Sequence, residues 1–294
     1  MTIISKFFKR ALLLAGTALA GTGSLELHAQ RFYDRNEYGL MGGASQYFGD
    51  INPDYNFSSI NPAIGAFYRY FFNPYISLRA GLSYTHLAAK DSDAKNAFQN
   101  IRNLSFQNDI FEAMVMGEFN FFYYMTGNNE RRFTPYMVLG IGAVYSNPYT
   151  MLEGQKVHLQ PLGTEGQFIA GFENRRYNKV NVVAPFGAGI KYGLAPGINL
   201  GFELVHRFAF TDYLDDVSTN YVGEEYFKLP NGGATRASML QDPSIAPDGG
   251  KMGIAGRQRG DRSSIDQYLI AQFTLSFQLK TYRCPSDNPL WNQQ

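Results

Sequence analysis

A chain of 294 residues is long enough for one large β-barrel or two ordinary domains, and a formal charge of +1 advertises no surface for nucleic acid or another polyanion. The four histidines are scattered, and neither His-x-x-x-His nor any other metal-binding spacing occurs, so no metal or cofactor is expected. Lys6, Lys9 and Arg10, a short apolar core over residues 11–20 and Leu27-His28-Ala29 before Gln30 have the layout of a secretory signal. The apolar run falls short of the ~20 residues of a spanning helix. Cleavage would leave a mature charge of about −1 and no candidate transmembrane helix, which restricts the product to the periplasm, the medium or an outer-membrane barrel.

From Gln30 onward the chain repeats one design, alternation of apolar and polar residues, which is the signature of a strand with one oily face. The first predicted strand covers residues 38–48 and is glycine-rich. The second, 63–72, ends at Asn73-Pro74, a tight turn. The third, 75–85, places Ile76, Leu78, Ala80, Leu82 and Tyr84 on one side and Ser77, Arg79, Gly81, Ser83 and Thr85 on the other. A polar stretch, 86–108, precedes the fourth, 109–122, where Phe111, Val115 and Phe119 oppose Glu112, Met116 and Glu118. The fifth covers 134–146. After an irregular segment, 147–179, come the sixth, 180–194, and, beyond Ala195-Pro196-Gly197, the seventh, 198–208. A long irregular stretch, 209–264, leads to the eighth, 268–280. There Leu269, Ala271, Phe273, Leu275, Phe277 and Leu279 oppose Ile270, Gln272, Thr274, Ser276, Gln278 and Lys280.

Strands of this length match the ~9–11 residues that a tilted strand needs to cross a bilayer, and an even count suits a bacterial single-chain barrel. Alternation alone does not say which face meets lipid, because a soluble barrel would bury the same parity. Two features choose the membrane. The connections alternate between short ones, at Asn73, Met125 and Pro196, and long ones, as periplasmic turns and outer loops do. Aromatic residues also crowd strand ends, as at Phe71-Phe72 and Phe121-Phe122-Tyr123-Tyr124, where membrane interfaces favour them.

The predicted architecture is therefore all-β, an eight-stranded antiparallel transmembrane outer-membrane barrel over residues 30–280. It follows a signal over 1–29 and carries a tail over 281–294, with both termini periplasmic. Arg79, Glu112, Glu118, Lys191, Glu203 and Arg207 fall on the lumen parity, and eight strands leave room for little besides such side chains. Gly140-Ile141-Gly142 and Gly187-Ala188-Gly189 lie inside strands and read as close-packing positions, not phosphate loops. Asp212, Asp215 and Asp216 lack the spacing and glycine of a calcium loop and would instead cap the seventh strand and order the long loop by accepting backbone amides, or form a solvated acidic turn. No activated nucleophile with a base and an orienting group can be named, although His206 with a serine is imaginable, so no enzyme and no small-molecule substrate are expected. Cys284, the lone cysteine, is a candidate for an intermolecular disulfide or a plain thiol.

Three loop stretches carry a specific likeness: Tyr47-Phe48-Gly49-Asp50-Ile51-Asn52-Pro53, Leu159-Gln160-Pro161-Leu162-Gly163-Thr164-Glu165-Gly166-Gln167, and Phe210-Thr211-Asp212-Tyr213-Leu214-Asp215-Asp216-Val217-Ser218-Thr219. With the phrases around Phe133-Thr134-Pro135-Tyr136 and Leu104-Ser105-Phe106, they make the chain similar to the PorG family, the outer-membrane barrel component of the type IX secretion system of Bacteroidota, over about residues 38–282. The resemblance implies a non-catalytic barrel in the lipid bilayer, partnered with the periplasmic ring of a PorK-like lipoprotein and a PorN-like protein. It marks Tyr47, Gly49, Asp50, Asn52, Gln160, Thr164, Glu165, Asp212, Tyr213, Asp215 and Asp216 as loop-ordering or interaction residues without assigning individual roles. Residues 223–262 show no clear pattern of that family. The alternatives are an autonomous barrel for adhesion or envelope integrity and, behind it, a lipid-modifying barrel enzyme.

Overall fold

The computed structural model describes residues 35–278 except 55, 58, 127 and 246–248. The expected signal segment, Cys284 and the tail over 281–294 lie outside the described residues. Eight long strands close on one another: β1 (Asn36–Phe48), β2 (Asn61–Phe71), β3 (Ile76–Lys90), β4 (Ser105–Asn120), β5 (Phe133–Tyr145), β8 (Val180–Ala195), β9 (Ile198–Ala209) and β10 (Gln267–Gln278). Two short ones, β6 (Tyr149–Leu152) and β7 (Gln155–His158), form a hairpin beside β4. All pairings are antiparallel, the eight long strands pair in their chain order, and β10 returns to β1 with Tyr38 opposite Phe277 and Phe48 opposite Gln267.

Period-two alternation sets which side chains point out. Leu40, Ile64, Leu82, Leu139, Ile141, Leu204 and Phe273 are exposed on the outer face, whereas Arg79, Glu118, Glu203 and Arg207 are buried inside. Charges within and large apolar groups without suit a chain whose solvent is lipid, and the arrangement is that of an outer-membrane barrel. Leu139, 64% exposed midway along β5, tests this face. Leu139→Arg should cost the barrel about 2–4 kcal/mol in lipid vesicles, read as a shifted urea midpoint; an unshifted midpoint would place Leu139 outside the hydrocarbon.

Two expectations need correction. The third strand does not stop at Thr85, nor does the fourth start at Asp109. The β3–β4 ladder continues through His86 opposite Asp109 to Lys90 opposite Ser105. In this extension the parities exchange character. Leu87, Ala89, Phe106 and Ile110 point inward and are buried, while His86, Lys90, Ser105 and Asp109 point outward. A strand that has left lipid meets water outside and packs its inner face on the loops, so its apolar parity changes side. The lumen parity is accordingly polar only over the apolar outer band.

The stretch 147–179 is also not wholly irregular. The β6–β7 hairpin turns at Glu153 (φ 51°) and Gly154 (φ 77°), the two positive values a type I′ turn requires.

The turn end of the barrel is short-looped at 72–75 and 196–197, with a longer join over 121–132. Phe72, Tyr75, Phe121, Phe122 and Phe133 stand exposed around it. The opposite, loop end carries 49–60, 91–104, 146–179 and 210–266, which fold inward over the strand extensions.

Candidate functional site: a charged lumen under a loop plug

The lumen is filled by an ionic layer centred on Glu118. Its carboxylate ion-pairs with Arg69 Nε at 2.8 Å, Arg79 Nε at 3.1 Å and Lys191 Nζ at 2.5 Å, and accepts from Ser77 Oγ at 3.1 Å. Glu203 takes the other side of Arg79 (Nη1 at 2.9 Å) and accepts from Tyr136 Oη at 2.6 Å and Gln272 Nε2 at 2.5 Å. Glu37 pairs with Arg69 and accepts from Asn199 Nδ2 at 3.3 Å. Three cations thus face three carboxylates. None of the six exceeds 2% exposure, so this layer leaves no open aqueous path.

Nearer the loops, Glu112 meets Arg207 Nε at 3.2 Å and accepts from Ser83 Oγ at 2.7 Å and from Tyr268 Oη. Room for these side chains comes from the small inward residues of β5 and β8. A Cβ on Gly189 would lie 2.8 Å from both the Tyr136 ring and Glu203 Cβ. All six charges read from the sequence lie in the lumen. Glu37 and Arg69 were missed, one because it precedes the expected strand start. Arg69 shares the inward parity of Ala63, Gly65 and Phe67, which was the available signal.

Above the lumen, the three loop stretches quoted from the sequence meet one another. Tyr47 Oη lies 2.7 Å from Asp215 Oδ2 and 2.5 Å from Asp266 Oδ1. Gly49 is required beside it, because a Cβ there would stand 2.1 Å from Tyr47 Oη. Asn52 donates to the Tyr47 and Asn56 carbonyls, both at 2.8 Å, and shapes the first loop. Asp50 accepts the Asp261 amide with both oxygens, at 3.1 and 3.0 Å. Glu165 is a second hub. It accepts the Ser218 and Thr219 amides at 2.9 and 3.1 Å, Thr219 Oγ1 at 2.7 Å, Tyr213 Oη at 3.3 Å and Arg259 Nη1 at 2.9 Å. Asp216, in the left-handed region at φ 68°, accepts Thr164 Oγ1 at 2.5 Å and Tyr177 Oη at 2.6 Å. Tyr177 in turn stacks on Tyr213 with ring centroids 4.5 Å apart.

Asp215 accepts the Val217 amide at 2.9 Å, as expected of a loop-ordering aspartate, whereas the Asp212 carboxyl faces the Ser218 hydroxyl. Gln160 stands apart from the hubs and donates only to the Tyr177 carbonyl, at 3.0 Å.

Four residues that hold the plug were not singled out in the sequence. Asp91 and Arg102 form a bidentate pair at 2.6 and 2.7 Å, and Arg102 Nη2 also donates to the Asp50 carbonyl at 2.9 Å. Arg259 lies in the 223–262 stretch whose role was open; besides Glu165 it donates to the Asp216 carbonyl at 2.7 Å. Asp266 accepts the Leu214 amide at 2.7 Å. None of the four sits in a periodic pattern that would mark it.

The plug gathers the carboxyl groups of Asp50, Asp91, Glu165, Asp212, Asp215, Asp216 and Asp266 around the guanidinium groups of Arg102 and Arg259. Carboxylates without enough cations hold protons. Burial, then Asp266 and Asp50, pushes Asp215 well above the usual carboxylate range. Burial, with Asp50, Asp215 and Glu165 adding to it, pushes Asp212 up to about 9. Burial likewise raises Asp50 to about 6, assisted by Glu165 and Asp261, and Asp216 to about 6 against the pull of Arg259.

Neither His206 nor His86 is paired with a serine. His206 faces outward, hydrogen-bonded to Gln267 at 2.7 Å and not to a serine, between Phe48 and Phe208. His86 and Asp109, 2.8 Å apart on the outer face, join Tyr84 and Lys156. Among the described residues no group of His, Cys, Asp and Glu could hold a metal ion.

An inverted apolar exterior, a lumen closed by ion pairs and a self-bonded loop plug define a small outer-membrane β-barrel of the plugged kind. Residues 24–233 match the family described as "Domain of unknown function (DUF6089)", and the chain belongs to that family. The match ends before β10, the strand that closes the barrel. No curated protein matches the chain.

Several solved structures are similar to it. Neisserial surface protein A is 8% identical with a TM-score of 0.39, covering 84% of this chain and 98% of its own. Ail of Yersinia pestis is 10% identical with a TM-score of 0.37, covering 83% and 99%. OprG of Pseudomonas aeruginosa is 6% identical with a TM-score of 0.37, covering 85% and 100%.

Proposed function

We propose that this barrel is a non-catalytic outer-membrane component of the type IX secretion machinery, anchoring the periplasmic ring of a PorK-like lipoprotein and a PorN-like protein. The observation that carries the reading is the convergence of the three PorG-like stretches. Tyr47 bonds Asp215, Thr164 bonds Asp216, and Glu165 bonds Ser218 and Thr219, so residues far apart in sequence are used together in one plug. In this reading the loop end faces outward and the turn end, with both termini, faces the periplasm. The ring would dock on the exposed aromatic rim of the 121–132 join, where Arg131 lies 4.4 Å over the Tyr123 ring, and on the tail bearing Cys284.

The test is a pull-down of tagged protein from gently solubilised envelopes, with and without reductant. Co-purification of a lipoprotein with its ring partner is the expected result. A heavy band that vanishes on reduction and in Cys284→Ser adds a covalent link; the partners without that band mean non-covalent docking. A barrel that emerges alone, from cells whose secretion survives its deletion, overturns the assignment in favour of an autonomous barrel. That second reading draws on a plug whose hydrogen bonds are made within this chain.

A further inference from the structure

Between the third and fourth long loops, on the surface of the plug, lies an open cavity of about 700 Å³, within the usual size range of small-molecule sites. Its walls are fixed. Arg175 Nη1 donates to the Glu165 and Asn220 carbonyls at 3.0 and 2.8 Å, and its guanidinium lies 4.6 Å over the Phe172 ring. The opposite wall is a short antiparallel ribbon. Asn220 bridges Gln258, the Tyr221 amide donates to the Arg257 carbonyl at 2.9 Å, and the Arg259 and Gly260 amides donate to the Thr219 carbonyl at 3.0 and 2.7 Å. Gly171 and Gly256, at φ 92° and 82°, carry no side chain into the space, and a Cβ on either would meet nothing within 4 Å.

The chemistry of the lining is specific. Asn174, Asn220 and Gln258 supply amides, each able to donate and accept, a match for neighbouring hydroxyl groups. The Asp261 carboxylate is bonded by Ser263 Oγ at 2.6 Å and its amide at 3.0 Å. These bonds hold it below the usual range and keep it an ionised acceptor. One aromatic ring, mixed donors and acceptors and an ionised carboxylate suit a hydroxyl-rich ring. Asp261 offsets one of the two lining guanidinium groups, Arg175 and Arg262, and the polar walls disfavour an apolar ligand.

We propose that this cavity binds a neutral saccharide of a few pyranose units, an activity independent of any secretion role. The test uses the full-length protein folded in detergent micelles, with saturation-transfer NMR and calorimetry against a panel of trisaccharides (maltotriose, mannotriose, chitotriose and a galactose trimer). At least one should bind. The variant Asn220→Ala/Gln258→Ala, which alters exposed side chains and keeps the folded gel mobility, should weaken it at least about tenfold.

Competition by lipid-free outer-membrane polysaccharide would identify the ligand as an envelope glycan; binding without competition would identify a free one. Absence of binding across the panel overturns the proposal, as does binding unchanged in the double variant. Preference for an acidic peptide or for inorganic sulfate over every sugar overturns it too.

Discussion

Glu118→Gln should destabilise the barrel by at least about 3 kcal/mol, the largest single effect expected in this molecule. The wild-type layer sets Arg69, Arg79 and Lys191 against Glu37, Glu118 and Glu203, all buried. Neutralising the hub leaves three cations beside two carboxylates in a space closed to water, and a buried charge without its partner is what makes such substitutions severe. Lys191 should suffer most, since among the described residues Glu118 is its only anionic contact within ion-pair distance. Removing that charge as well should therefore repair much of the damage. Glu118→Gln/Lys191→Gln restores two cations to two carboxylates and should recover at least half of the loss. Urea unfolding of each variant in lipid vesicles, followed by tyrosine fluorescence and gel mobility, measures the cycle. A single variant that unfolds at the wild-type midpoint, or a double variant weaker than the single, would reject a charge-balance account of the lumen. Glu112→Gln should cost less, because it unpairs one cation, Arg207, and Tyr268 and Ser83 remain to bond the amide.

The contrast between lumen and plug explains what the sequence made legible. Along β9, Ile198, Leu200, Phe202 and Leu204 alternate with Asn199, Gly201, Glu203 and Val205, and both the strand and its inward face follow from that pattern. The same rule stopped short on β3. Beyond Thr85 the apolar residues Leu87 and Ala89 occupy the opposite parity, so a search for one constant oily face reads a strand end where the strand only leaves lipid. The β6–β7 hairpin escaped because its strands have four residues each, and its Glu153-Gly154 turn lacks the Asn-Gly or Asp-Gly signal.

In the plug, legibility depended on neither period nor propensity. Glu165 and Asp216 stood out because they lie in stretches resembling a family. Arg259, which holds both of them, stood in a stretch with no such pattern. Contacts across 43 or 94 residues leave no local trace, since nothing in the backbone near Arg259 depends on its distant acceptors.

Those contacts set up the second large effect, a plug that loosens as pH rises while the barrel beneath it stays folded. Tyr47 carries one hydroxyl hydrogen, yet lies within hydrogen-bond distance of two carboxyl groups, Asp215 and Asp266. Only one of them can accept from it, so the other must be protonated and donate to the phenol oxygen. At least one proton is therefore part of the closed plug. Asp50, Asp212 and Asp216 add to this because their folded values, about 6, 9 and 6, lie above the ordinary 3.8.

A closed plug that binds more protons than open loops is most stable in acid. Its stability is fully present below about pH 4, falls as pH passes about 6 for Asp50 and Asp216, and falls further towards about 9 for Asp212. For Asp216 alone, the difference between 3.8 and about 6 corresponds to about 3 kcal/mol. Limited proteolysis by an enzyme active across this range should cut the 210–266 loop at least about tenfold faster at the alkaline end, with the strands protected throughout. Asp215→Asn should blunt that rise. Its amide nitrogen donates to Tyr47, Tyr47 donates to Asp266, and the amide oxygen keeps the Val217 bond, so the triad closes without an extra proton. Cleavage that is flat with pH in the wild type, or equally steep in Asp215→Asn, would mean that the carboxyl pair does not share the tyrosine through a bound proton.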